Sequence, residues 1–400
     1  MSWKKKFVGN WGQLGMKCKL SDICDFRKGK VDVSKLTLKT YISTENMLPN
    51  KGGITEASSL PTIQLTQEYK KEDVLVSNIR PYFKKIWRAK YDGGCSNDVL
   101  VFQGNSNIDG DFLYYVLAND DFFDYSMATS KGTKMPRGDK TSIMQYEVPV
   151  FDVYTQRKMA SVLRCLDEKI ELNSAINNNL EQQAVALFDN AIQNAESVSY
   201  AELSTLADVK GGKRLPKGVN LITIPNSHPY IRVRDLNSTV FASLSPEYEY
   251  VDDETQKTIS RYVVSQGDVL ISIVGTIGLT AIVDSTLNNA NLTENCVKLT
   301  NLKTITPEYL LLYLRSSKGA EAISKGTVGA VQLKLPIKNI QSILVPLLDE
   351  LELQSLNDIL SAIFSQISAN IVENRKLADM RDALLPKLMS GELDVSDIEI

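Results

Sequence analysis

Lysine and arginine in this chain fall in short clusters among aromatic residues and glycines, a chemistry suited to holding phosphate oxygens rather than to breaking bonds. Residues 69–90 carry seven basic side chains against two acidic ones. Within them, Asn78-Ile79-Arg80-Pro81-Tyr82-Phe83-Lys84-Lys85-Ile86-Trp87-Arg88 interleaves cations with rings. Arg27-Lys28-Gly29-Lys30 and the run Lys210, Lys213, Arg214 and Lys217 set cations beside glycines, where a backbone can approach an anion closely. Ser130-Lys131-Gly132-Thr133 recurs as Ser324-Lys325-Gly326-Thr327, bringing hydroxyl, amide and ammonium donors into one small turn. Lys134, Arg137 and Lys140 follow the first copy and Lys334 the second. Arg232 and Arg234 alternate with apolar residues after Tyr230, so a strand with one basic face is expected there.

Residues for catalysis are scarce. The single histidine, His228, leaves little room for a histidine-based zinc site or a Ser-His nucleophile. Cys18, Cys24, Cys95, Cys165 and Cys296 form no CxxC pair, so reduced, structural thiols and no metal are expected. A GxxxxGK[ST] phosphate loop is missing, as are the glycine-rich cofactor turn and Asn/Asp-Pro-Pro-aromatic motif of an amino-methyltransferase. Gly275 and Gly278 suit a tight hairpin better than a phosphate loop. The net charge of −3 and pI of about 5.6 argue against indiscriminate nucleic-acid binding. Binding without catalysis is the expectation.

The elements that must carry these clusters occur twice. Glu72-Asp73-Val74-Leu75-Val76-Ser77 is echoed by Gln266-Gly267-Asp268-Val269-Leu270-Ile271-Ser272, a turn followed by a buried strand. Helical patterns at Phe112–Leu117 and Tyr309–Leu314 precede the two Ser-Lys-Gly-Thr motifs, and Val148-Pro149-Val150 and Val345-Pro346-Leu347 close each half. A long helix follows. In the first, Leu166, Ile170, Leu180, Ala184, Leu187 and Ala191 recur at alternating steps of four and three, with Asn173 and Asn177 in the middle of the seam. A shift of 197 residues lands on Ile363, Ile367, Asn370, Asn374, Leu377, Arg381, Leu384 and Leu388. Polar residues on an apolar seam fix register, so Asn173, Asn177, Asn370 and Asn374 are the expected register pins of a helix pair. The fold class expected is α+β: a tandem duplication of two globular domains separated by two long antiparallel coiled-coil helices, with pseudo-two-fold symmetry.

Taken together, the Asp-Val-Leu-[Val/Ile]-Ser strand, the Ser-Lys-Gly-Thr motif, the Val-Pro strand and the long helix, each present twice, resemble the specificity (S) subunit of a type I restriction-modification enzyme. The ending Leu384-Leu385-Pro386-Lys387-Leu388-Met389-Ser390-Gly391-Glu392-Leu393 is similar to the ends of these subunits. The resemblance covers about residues 16 to 394. It implies an N-terminal arm over 1–15, target-recognition domains over 16–150 and 197–348, spacer helices over 151–196 and 349–392, and an acidic tail over 393–400. Each domain would read one half of a split double-stranded DNA target. The paired helices would set the gap and dock two methyltransferase (M) subunits, with motor-nuclease (R) subunits joining for restriction. This chain would be non-catalytic and bind no cofactor; S-adenosylmethionine would sit on the methyltransferase subunits.

The residues expected at DNA are Lys28, Lys30, Arg80, Lys84, Lys85, Arg88, Lys131, Lys134 and Arg137 in the first domain, and Lys210, Lys213, Arg214, Lys217, Arg232, Arg234 and Lys325 in the second. With no run of 18 apolar residues and no apolar signal core after Lys4-Lys5-Lys6, a cytoplasmic chain without membrane contact is expected. Two other classes are consistent with parts of the sequence: a coiled-coil scaffold whose globular domains bind proteins, and a self-sufficient nuclease or methyltransferase. Salt-sensitive DNA binding separates the first from the specificity reading, and S-adenosylmethionine binding the second.

Overall fold

The computed structural model describes residues 17–236, 240–245, 247–329 and 332–398; the expected arm over 1–15 lies outside them. Two compact units are present, one built from residues 1–171 and 374–400 and the other from 172–373. The division passes through the middle of both long helices, so each unit owns half of each.

In the first unit, Cys24–Phe26, Val99–Gly104, Val74–Ser77 and Ile86–Arg88 form an antiparallel sheet in that order. A second sheet runs Lys30–Asp32, Leu65–Tyr69, Gly93–Cys95, Tyr41–Ile42, its last pairing parallel. In the second unit the order is Asp208–Gly211, Cys296–Thr300, Val269–Ser272, Thr280–Val283, Phe241–Ala242, again ending on a parallel pair. Val74–Ser77 and Val269–Ser272 are central strands with all four residues buried, as their β-branched runs require. The acid before each run closes the turn that starts it. Asp73 accepts the Lys70 N–H at 2.7 Å and Asp268 accepts the Ser265 N–H at 2.9 Å. Both carboxylates are buried, and each has a cation: Arg27 beside Asp73, and Lys298 at 3.6 Å from Asp268.

Helices Gly110–Ala118 and Asp120–Ala128 in the first unit match Pro307–Arg315 and Ser317–Gly326 in the second. Asn119 and Ser316, in extended backbone, end one helix and cap the next. The helices pack Phe112, Leu117 and Phe122 into the first core, and Tyr309, Leu310 and Leu314 into the second.

The long helices run Val153–Asn194 and Glu350–Ser390, about 60 Å each at 1.5 Å per residue. In the first unit Met159, Leu163, Leu385 and Leu388 join the domain core; in the second, Ala184, Phe188, Leu356, Leu360 and Phe364 do. The helices are antiparallel, and the four seam asparagines bond across the pair. Asn173 Nδ2 donates to Glu373 at 2.7 Å, Asn370 Nδ2 to Asn177 Oδ1 at 2.7 Å, Asn177 Nδ2 to the Ile367 carbonyl and Asn374 Nδ2 to the Ile170 carbonyl, both at 3.4 Å. One seam expectation fails: Leu187 is exposed and Phe188 takes the buried place, because Phe188 packs on Tyr309 of the domain, ring centroids 5.0 Å apart. In the tail, Val395 is buried and Leu393 and Ile398 pack against the first core.

Candidate nucleic-acid interface

Two loops of the first unit are stitched side by side. The loop after Val74–Ser77 spans residues 78–85; the other spans 130–138 and contains the Ser-Lys-Gly-Thr motif. Arg80 N donates to the Pro136 carbonyl at 2.8 Å, Gly138 N to the Asn78 carbonyl at 3.2 Å, and Lys131 and Arg137 exchange backbone bonds at 2.9 and 3.0 Å. Arg80 and Lys84 hold left-handed backbone, φ 50° each, a conformation that side-chain-bearing residues adopt only when the surroundings enforce it. Arg80, Lys84, Lys85, Lys131, Lys134 and Arg137, all expected at DNA, therefore lie on one pair of loops, with Tyr82 and Met135 exposed between them.

Most of these cations already have acceptors. Lys84 meets Asp120 at 2.8 Å, Arg137 meets Asp98 at 3.1 Å, and Lys131 pairs with Asp139. Lys85 donates to the Thr44 carbonyl at 2.7 Å and lies over the Phe83 ring, and burial lowers its pKa. Lys134 is exposed and in no ion pair among the described residues. A phosphate reaching this face adds to Lys134 but must displace carboxylates elsewhere, which fits a face that discriminates rather than one that binds any polyanion.

The remaining first-domain candidates sit apart. Lys28 and Lys30 are exposed on the turn around Gly29. Arg88 ends a strand between Glu72 and Asp111, and Asp111 also pairs with Arg164 of the first long helix at 3.1 Å. Arg88 is thus held by two carboxylates and ties the strand to the helix.

The second unit stitches the equivalent loops in the same way. Val328 and Lys334 exchange backbone bonds at 2.9 Å, and Leu335 N donates to the Ile273 carbonyl at 2.9 Å. The contents differ. Gly275 and Gly278, at φ 80° and 86°, make the expected tight hairpin, and Val328 and Leu333 are exposed where the first unit carries cations. Ser324-Lys325-Gly326 is not a turn here but the end of a helix, and Lys325 pairs with Glu321 one turn back at 2.6 Å.

The basic strand face expected at Arg232 and Arg234 is corrected as well. The strand stops at Ile231, because Asp235 accepts the Arg232 N–H at 2.8 Å and closes a helical turn over Val233–Leu236. Arg232 and Arg234 then converge on Asp235 and Glu249. Lys210 pairs with Asp208 at 2.9 Å and Arg214 with Glu294 at 2.6 Å, while Lys213 lies over the Tyr262 ring and Lys217 is exposed. Gly212 is needed in this run: a Cβ would stand 2.0 Å from the Thr293 carbonyl oxygen.

Asp120 shows how the pairings couple to pH. Burial pushes its carboxyl up, but Lys84 and Lys51 outweigh that and hold it below the usual carboxylate range. A depressed carboxylate contributes stability above its unfolded value of about 4 that is lost as pH falls through the folded value. Asp120→Asn is therefore expected to reduce the drop in urea midpoint between pH 5 and pH 3; an unchanged drop means that other carboxylates govern acid unfolding.

No basic cluster or motif in the sequence marks Lys51 or Asp120. Asn50-Lys51-Gly52-Gly53 signals a turn, and nothing local to it marks the lysine as enclosed. Among the described residues no group of three or more His, Cys, Asp and Glu could hold a metal, and no helix is long and apolar enough to cross a membrane.

With this geometry in view, the profile of the type I restriction modification DNA specificity domain matches residues 15–182 and again 196–376. The chain is 22% identical to the HindI specificity subunit of Haemophilus influenzae, over 94% of this chain and 98% of that one. It is 23% identical to the MjaIX specificity subunit of Methanocaldococcus jannaschii, over 76% and 74%. In fold it is similar to the S subunit of the type I restriction-modification system from M. genitalium, with a TM-score of 0.55, 17% identity, and coverage of 94% and 96%. The two matches, one for each stitched pair of loops, establish that the chain belongs to the type I restriction modification DNA specificity domain family and carries that domain twice.

Proposed function

We propose that this chain is the DNA sequence-specificity subunit of a type I restriction-modification complex. The observation that carries the reading is the double family match over two repeats whose equivalent loops are built alike but differ in chemistry. One loop pair is cationic and the other largely apolar, so the two domains would read unlike halves of a split target. The helix pair would set the gap and dock two methyltransferase subunits, which would hold S-adenosylmethionine and methylate adenine. Motor-nuclease subunits would join for cleavage in the cytoplasm. This chain would supply recognition and no catalytic group.

The test is a map of methylated adenines in cells carrying this chain with its methyltransferase subunit, against cells carrying the methyltransferase alone. A split motif with two unlike halves and a fixed gap, present only with this chain, is the expected result. Active methyltransferase with no motif that depends on this chain refutes the proposal.

Lys134 gives a residue-level check. Exposed and unpaired, it suits a phosphate contact, which positions without specifying. Lys134→Ala in the assembled complex is expected to weaken target and non-target DNA alike and to reduce the slope of log K against log salt by about 0.9. Loss confined to the target would make Lys134 a base reader instead.

A further inference from the structure

Lys51 lies outside every basic cluster legible in the sequence, yet its side chain is only 7% exposed. Its backbone is left-handed, φ 60°, as is that of Asn50 at 54°. The two residues are strapped to the candidate DNA-reading loop: Asn50 N donates to the Phe83 carbonyl at 2.8 Å and Lys51 N to the Lys84 carbonyl at 2.9 Å. The ammonium then lies between two carboxylates, Asp120 at 3.0 Å and Asp382 at 3.5 Å. Asp120 also holds Lys84 of the loop, and Asp382 stands on the second long helix. From Asp382 the chain of charges continues through Arg381 at 3.0 Å to Asp167 of the first long helix at 2.8 Å, where the Tyr115 hydroxyl donates at 2.7 Å. Lys51, Lys84 and Arg381 balance Asp120, Asp167 and Asp382, so the path from loop to helix pair is charge-neutral.

We propose that Lys51 is a positioning residue for DNA recognition, bridging Asp120 and Asp382 so that the reading loop of the first domain is fixed to the helix pair and cannot slide along the DNA independently of it. The inference rests on the specificity-subunit reading above. Two physical arguments support a lysine at this place. An ammonium can serve two carboxylates on different elements at once, whereas a hydrophobic residue would leave Asp120 to Lys84 and Asp382 to Arg381, with no bridge between loop and helix. When Lys84 turns toward a phosphate, Asp120 keeps Lys51, and the loop engages DNA without stranding a carboxylate.

The experiment uses the full chain assembled with its methyltransferase subunits. Methylation rates are compared on duplexes with the native gap and with gaps one base pair longer and shorter. In Lys51→Met and Asp382→Asn the ratio of native-gap to altered-gap rates is expected to fall at least fivefold, through a raised KM on the native gap with kcat retained, while Lys51→Arg keeps the ratio. A wild-type ratio in Asp382→Asn and Lys51→Met overturns the proposal. Asp382 is half exposed, so its variant decides the matter if Lys51→Met does not fold. Failure of the underlying reading looks different: the wild-type complex then shows no gapped target at all.

Discussion

On the proposed function, seven residues inserted into each long helix are expected to lengthen the recognised gap by about three base pairs. The natural places are between Glu171 and Leu172 and between Glu373 and Asn374, where the compact units divide. Seven residues add about 10 Å to a helix, and base pairs stack about 3.4 Å apart. The number matters because two turns return the seam to nearly the same face, with only about 20° of drift. Four residues would lengthen the helix less and rotate the seam further. Both helices must be extended together. An insertion in one alone sets the seam on its two sides out of register by two turns, so the Asn370–Asn177 bond on one side and the Asn374–Ile170 bond on the other cannot both be kept, and an amide loses its partner. A map of methylated adenines reads the result: the native-gap motif disappears and the same two halves reappear three pairs further apart. If methylation stays at the native gap, the helices do not set it.

The duplication and the long helices were legible because they rest on short-range periodicity: a seam repeated at steps of four and three, and the same asparagines 197 residues apart. The strands at Val74 and Val269 were legible for the same reason, since a β-branched run after an acidic turn has few other uses. Leu187 marks where periodicity stops being enough. A seven-residue step drifts against the true 3.6-residue turn, and this helix also packs against a domain, so Tyr309 draws Phe188 inward instead. The cationic face was half legible. Local clustering located Arg80, Lys84, Lys131 and Arg137 on loops that the fold joins. Lys131 finds Asp139 eight residues on, but other acceptors lie far along the chain: Asp120 pairs with both Lys84 and Lys51, and Glu294 holds Arg214 across 80 positions. Charge counts cannot foresee such pairs, because only tertiary structure decides which of 48 acidic residues meets which of 45 cations.

Arg381→Ala is expected to destabilise the first unit by about 3 kcal/mol, toward the lower end for breaking an enclosed ion pair. Arg381 is the one charge among the seam positions read from the sequence, a place that demands a partner. The structure supplies two: Asp167 at 2.8 Å on the first long helix and Asp382 at 3.0 Å on its own. The guanidinium is 13% exposed and Asp167 22%, so water screens the pair weakly. Truncation leaves Asp167 with the Tyr115 hydroxyl as its remaining donor, and the carboxylate must draw in water or take up a proton. The loss should thus come from the orphaned acid more than from the missing bond, and that distinction is measurable. Removing all three polar partners at once, in Arg381→Met with Asp167→Leu and Tyr115→Phe, should recover most of the stability because nothing enclosed is left unpaired. Urea unfolding of the single and triple variants separates the two sources. A single variant that costs under about 1 kcal/mol would place the pair in effectively solvent-screened surroundings. A triple variant as weak as the single would show that the ion pair itself, and not its compensation, holds the helices to the domain.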